Sequence, residues 1–148
     1  MKPEAKKLNA VIRDVRLCFN LLRTRADEMH KDLGVNASMR AVMESLAGGN
    51  ERTVPNIARS RGVSRQHIQV IVNALTKANL VAVRDNPEDR RTFLVFLSDQ
   101  GREVFGEIQK REAVELQHLS MTFTSDELRA TLKTLGKLCD IMKGAEND

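Results

Sequence analysis

Residues 83–101, VRDNPEDRRTFLVFLSDQG, constrain the fold of this chain more than any other stretch. A polar, proline-bearing turn lies between two short apolar runs, the pattern of a β-hairpin with strands at residues 80–84 and 92–97. The sequence on either side has helical periodicity. Whatever the fold, it must carry one charged hairpin within a helical chain.

The helices can be placed from apolar spacing and from their end signals. Leu8, Ile12, Val15, Phe19 and Leu22 recur at three and four, predicting a helix over residues 3–33 that Gly34 ends. Asn36 or Ser38 caps a second helix with Met39, Val42, Met43 and Leu46 on one face, stopped at Gly48 and Gly49. Residues 53–61 form a short helix that tolerates Pro55 in its first turn. Gly62 bends the chain, and Ser64 caps a helix running to Ala78. Asn79 then takes the left-handed conformation that closes a helix. Ser98 opens a helix to about residue 120. Thr124 and Glu127 form a capping box ahead of the last helix, on which Leu128, Leu132, Leu135, Leu138 and Ile141 share one face.

Two helices joined by a short glycine-bearing turn, residues 53–79, make a helix-turn-helix. On the second of them Ile68, Ile71, Val72 and Leu75 form the face to be buried. Arg65, Gln66, His67, Gln69, Val70 and Asn73 lie opposite, and no acidic residue occurs from Ser64 to Leu80. Such a face suits a polyanion: Arg pairs with guanine edges and Gln or Asn with adenine in the major groove, while carboxylates would repel phosphate. Residues 52–91 hold eight Lys and Arg against three Asp and Glu, so the positive charge gathers in this segment of a chain of net charge +4. With the hairpin as its wing, the whole is a winged helix whose strands are expected to pack on the helices through Leu80, Val81, Val83, Phe93, Val95 and Leu97. Its tip, DNPEDRR, carries Arg90 and Arg91 toward a neighbouring minor groove, with Arg84 at its base.

Residues 54–101 resemble the DNA-binding lobe of the multiple antibiotic resistance regulator (MarR) family. The family's wing pattern, Asp-x-Arg followed by Leu-Ser/Thr-x-x-Gly, is met by Asp89-Arg90-Arg91 and by Leu97-Ser98-Asp99-Gln100-Gly101. The resemblance implies that Asp89 orients Arg91 and that Arg91 enters the minor groove. It also implies a mainly α fold with one small hairpin, in which residues 1–34 and 102–148 form a helical dimerisation region around a winged-helix lobe at 35–101, all in one intertwined domain. A two-fold homodimer would place two reading helices on a pseudo-palindromic operator of double-stranded DNA. The family's habit of holding aromatic acids or phenols beside the dimer helices implies an effector cleft lined by Leu22, Met39, Met43 and Phe105, with Arg16, Arg23 or Arg40 as the cation.

Other chemistries lack support in the sequence. His30, His67 and His118 fall on different helices in no metal-binding or catalytic spacing, and no phosphate-binding glycine loop or nucleophile elbow occurs. The expectation is no enzyme, no cofactor and no metal. Cys18 and Cys139 are too few for a disulfide framework and are expected to be buried structural residues. The longest apolar run, FLVFL, is too short for a membrane span, and no signal-peptide pattern opens the chain, so a cytoplasmic protein is expected. Hydrophobic residues make up 41%, Trp and Tyr are absent and Phe numbers five, so the core must be aliphatic. The reading reached is a sequence-specific transcriptional regulator, a repressor relieved by a small effector. The alternatives are a winged-helix module for protein partners and a sequence-tolerant architectural DNA-binding protein.

Overall fold

The computed structural model describes residues 1–145. Among them the order is α1 (Pro3–Met29), α2 (Ala37–Ser45), α3 (Val54–Arg61), α4 (Arg65–Lys77), β1 (Val81–Asp85), β2 (Phe93–Leu97), α5 (Asp99–Ser120) and α6 (Ser125–Ala145). The chain is thus mainly helical with one antiparallel hairpin. It divides into two compact units, Met1–Gln109 and the residues from Lys110 onward, with α5 running from one into the other. The last three residues of the expected dimerisation region, 146–148, lie outside the described residues.

Helix boundaries fall where side chains satisfy the orphan N–H groups of a first turn. Of the two candidates for α2, Asn36 is the cap: its Oδ1 accepts from the Met39 N–H at 2.8 Å. Thr53 caps α3 through the Asn56 N–H, and Ser64 caps α4 through the His67 N–H. Thr124 accepts from the Glu127 N–H at 3.1 Å and its hydroxyl donates to the Glu127 carboxylate, so that box closes side chain to side chain. The first helix is shorter than its periodicity suggests. His30 leaves helical geometry at φ −112°, ψ 12°, and residues Lys31–Leu33 make a 3₁₀ turn instead. His30 itself is wholly buried.

The core of the first unit is aliphatic apart from Phe105. Met43, Leu46, Ile57, Leu75 and Ile108 have no exposed surface, and Ile68, Val72, Leu80, Val81 and Val95 have almost none. These side chains come from α2, α3, α4, the hairpin and the start of α5. The wheel-derived inner face of α4 is buried throughout. A third strand-like contact escaped sequence reading: Arg52 exchanges both backbone hydrogen bonds with Val95, at 3.0 and 2.7 Å, and ties the chain ahead of α3 to β2.

Two hairpin residues expected to pack on the helices do not. The register pairs Val81 with Leu97, Val83 with Val95 and Asp85 with Phe93, which puts all six on one face. Cover from the core ends partway along that face, so Val83 is 50% and Phe93 57% exposed. The cysteines also depart from expectation, since Cys18 and Cys139 are both exposed in the single chain. The reason is shared: α1 and α6 bury no residue at all, and Phe19, Leu22, Leu132 and Ile141 stand more than half exposed.

Gly101 closes the fold at the hairpin's foot. A Cβ there would sit 1.9 Å from the Leu80 carbonyl oxygen, a backbone atom that cannot swing aside. Gly106, on the same helix, has nothing within 4 Å of its Cβ direction. Gly101→Ala should therefore cost about 1–3 kcal/mol through forced displacement. Gly106→Ala should stabilise by about 0.5–1 kcal/mol through helix propensity. Urea midpoints of the two variants check this, and equal shifts would contradict the close approach.

Candidate nucleic-acid interface

The reading face is built by the turn between α3 and α4. Gly62 adopts φ 67°, and the Val63 and Gly62 N–H groups return to the Ala58 and Arg59 carbonyls at 3.1 and 3.4 Å. A Cβ-bearing residue is disfavoured in this left-handed geometry. Arg61 braces the pair from behind, donating to the Ala41 carbonyl (2.5 Å), the Ser45 hydroxyl (3.1 Å) and the Glu44 carboxylate (3.1 Å). Partial burial acts to raise the Glu44 pKa, but bonds from Arg40 and Arg61 outweigh it and hold the carboxyl below its ordinary value.

With α4 fixed by its inner face, Arg65, Gln66, His67, Gln69, Val70 and Asn73 are all exposed, as is the cap Ser64. The Gln69 amide donates to the Asn73 Oδ1 at 2.9 Å, which holds two exposed amides side by side one turn apart.

On the wing, the Asp89 Oδ1 accepts from both the backbone N–H (3.1 Å) and the Nε (3.2 Å) of Arg91. The backbone bond first, and then the guanidinium, hold the Asp89 carboxyl below its ordinary value. The Arg91 side chain is 90% exposed, so this ion pair adds little to stability. Its effect is to aim the guanidinium. Arg90 is exposed at the same tip. Arg84 has a different situation: it grips Glu51 with two bonds, at 2.9 and 2.5 Å, and so braces β1 against the segment ahead of α3.

Between α4 and the hairpin lies a cleft of about 640 Å³. Arg65, Gln66, Gln69, Asn73 and Arg91 stand among its polar lining residues, and Val72, Val83, Phe93 and Val95 supply apolar wall. The exposed Val83 and Phe93 thus line the same cleft as these polar side chains. A second cleft of about 510 Å³ joins the cap Thr53 and Asn56 and Arg59 of α3 to Arg65, Asp89 and Arg91. Arg59 and Phe93 were missed in the sequence. Arg59 counted only toward the charge of its segment, and Phe93 read as an ordinary inward strand residue.

The expected effector residues are not brought together. Met39, Met43 and Phe105 are core side chains, because α2 turns its methionine face inward. Arg40 pairs with Glu44 at 2.7 Å. Leu22 and Arg16 are exposed on α1. Arg23 alone of the seven lines a separate cavity of about 380 Å³, with Phe19, Val42, Val63, His67 and Ile71 among its walls. Among the described residues no group of three His, Cys, Asp or Glu could hold a metal ion, and no helix is long and apolar enough to cross a membrane.

Comparison with known proteins agrees with this geometry. A sequence model described as MarR family matches residues 34–92. The chain is 30% identical over 133 residues to an uncharacterized protein of Mycobacterium tuberculosis, covering 90% of this chain and 92% of that one. It is 27% identical over 131 residues to the transcriptional activatory protein BadR of Rhodopseudomonas palustris (85% and 74% covered). It is 25% identical over 149 residues to the HTH-type transcriptional repressor MdtR of Bacillus subtilis (100% and 94% covered). Among solved structures, the MarR family transcription regulator SP03579 superposes with a TM-score of 0.80 at 24% identity, over 98% of this chain and 96% of that chain.

The Asp89–Arg91 contact has a pH signature. A carboxyl with a lowered pKa keeps its bonds above the ordinary range and loses them only as pH falls through the lowered value. Arg91 should thus stay oriented from neutrality down past the ordinary Asp value of 3.8. Carboxyl carbon shifts followed by NMR should place the Asp89 midpoint below that value. A midpoint at or above it would mean that the wing contact does not persist in solution.

Proposed function

The chain belongs to the MarR family of winged-helix, DNA-binding transcription regulators, which are not enzymes, and we propose that it is a homodimeric, operator-specific repressor released by a small aromatic acid or phenol. The observation that carries the specificity is the outward face of α4, which offers Arg65, Gln66, Gln69 and Asn73 without a carboxylate, beside a wing whose Arg91 is aimed by Asp89. In this reading Arg65, Gln66 and Gln69 touch base edges in the major groove, and Ser64, His67, Val70 and Asn73 border them. Arg91 enters the flanking minor groove, Arg90 adds charge to the nearby phosphates, and Arg84 holds the wing through Glu51.

Regulators of this family bind operator DNA as dimers. The open apolar faces of α1 and α6 support the same assembly here, since they leave in water the stripes that a second copy would cover. The repressor assignment follows MdtR, whose similarity runs the length of this chain. BadR is an activator, so the sign depends on where the operator lies relative to the promoter.

The effector reading moves from the expected residues to the cavity beside Phe19 and Arg23. Its walls are apolar, Arg23 offers a cation to a carboxylate, and His67 belongs both to this wall and to the DNA-facing helix. A ligand there would act on the same element that reads DNA. A tenfold loss of operator affinity needs about 1.4 kcal/mol of differential binding between the two states.

Selection from random duplex DNA should return a pseudo-palindrome with half-sites about one helical turn apart. Gln69→Ala should then relax one symmetric pair of positions, at about 1–3 kcal/mol. A flat selection would favour a sequence-tolerant architectural protein or a protein-binding module. Aromatic acids that raise the melting temperature should also weaken operator binding, and should lose both effects in Arg23→Ala. Stabilising ligands that leave operator affinity unchanged would remove effector control.

A further inference from the structure

Behind the Asp89–Arg91 pair the wing tip carries a second polar network, centred on Asn86 and Thr92. Asn86 is only 9% exposed, although it sits on a surface loop beside Pro87. Its Oδ1 accepts from the Glu88 N–H at 3.1 Å, an Asx turn that sets the first bend of the loop. Its Nδ2 donates to the Thr92 Oγ1 at 2.9 Å, across the mouth of the loop. The Thr92 hydroxyl passes its own proton to the Asp89 carbonyl at 3.0 Å, and the Thr92 N–H reaches the same carbonyl at 3.1 Å. Asp89, fixed in this way through its backbone, is the residue whose carboxylate holds Arg91. The bonds form one chain, Asn86 to Thr92 to Asp89 to Arg91.

We infer that Asn86 and Thr92 are positioning residues that lock the wing tip before DNA arrives, so that Arg91 is presented to the minor groove by a preformed loop. The inference rests on the reading of Arg91 given above. Its physical basis is the ordering cost of binding. A slack seven-residue loop, 86–92, would lose backbone freedom on docking, and each residue fixed beforehand removes part of that loss from the binding step. Burial of Asn86 and partial burial of Thr92 make the lock durable, because breaking the bond between them would leave poorly solvated polar groups without partners. In this proposal Arg91 makes the DNA contact, and Asn86 and Thr92, which line the same cleft, act through it.

The distinguishing experiment is a mutant cycle read by binding to duplex DNA. Thr92→Val keeps the shape and removes the hydroxyl, and should weaken binding about three- to tenfold, the usual worth of one or two hydrogen bonds. Thr92→Ser should bind as the parent does, and Asn86→Ala should match Thr92→Val. In an Arg91→Ala background Thr92→Val should add nothing further. In the free protein, the Arg91 amide order parameter should fall in Thr92→Val and Asn86→Ala but not in Thr92→Ser, a readout that needs no DNA. Arg91→Ala weak with Thr92→Val unchanged overturns the lock alone. Equal losses from Thr92→Val with and without Arg91 also overturn it, since the residue would then act by another route. Arg91→Ala as tight as the parent overturns the wing reading and the lock together.

Discussion

The place where residues 79–80 meet residues 98–101 fixes the wing to the reading helix. Asn79, at φ 61°, closes α4 with the Leu80 N–H returned to the Leu75 carbonyl and its own N–H to that of Thr76. The Ser98 hydroxyl donates to the Asn79 carbonyl at 2.7 Å and accepts from the Gly101 N–H at 2.9 Å, while the Ser98 N–H bonds the Leu80 carbonyl. Gly101 must lack a side chain for α5 to start this close. One serine and one glycine therefore join the end of α4, both feet of the hairpin and the start of α5. The separation between the exposed face of α4 and Arg91 of the wing is set by this joint, and in the proposed function so is the spacing of DNA grooves that the lobe would fit.

Elements whose cause is local were legible in the sequence. The inner face of α4, the caps at Ser64 and Thr124, the left-handed Asn79 and the presence of the hairpin all follow from spacing and turn chemistry within a few residues. The Leu-Ser-x-x-Gly signature was legible as a family mark, and its physical content emerged only with Leu80 in place beside Gly101. What stayed hidden depends on partners distant in sequence. Glu51 holds Arg84 from 33 residues away, Arg52 pairs with Val95, and Arg61 reaches back to Ala41 and Glu44. No periodicity announces such contacts. The exposed Val83 and Phe93 fooled the alternation rule for a similar reason: the rule gives the face of a strand, while the extent of cover on that face is a tertiary property.

The exposed apolar stripes of α1 and α6 and the two exposed cysteines have a common cause. A winged-helix lobe with so aliphatic a core buries what its own helices and hairpin supply, while α1 and α6 each bury no residue among those described. In the proposed dimer a second copy of the chain would cover them from without, and assembly and DNA spacing would become one problem: stripes that gather two chains would also set the distance between two reading helices.

Chemical footprinting with dimethyl sulfate tests the helix-and-wing arrangement directly, because the reagent reports guanine N7 in the major groove and adenine N3 in the minor groove. On a bound duplex the expected result is major-groove protection under each α4, with minor-groove protection beside it. Arg91→Ala should erase the minor-groove protection alone. Minor-groove protection that survives Arg91→Ala, or an unprotected major groove under the parent protein, would contradict the assignment of α4 and the wing to their grooves.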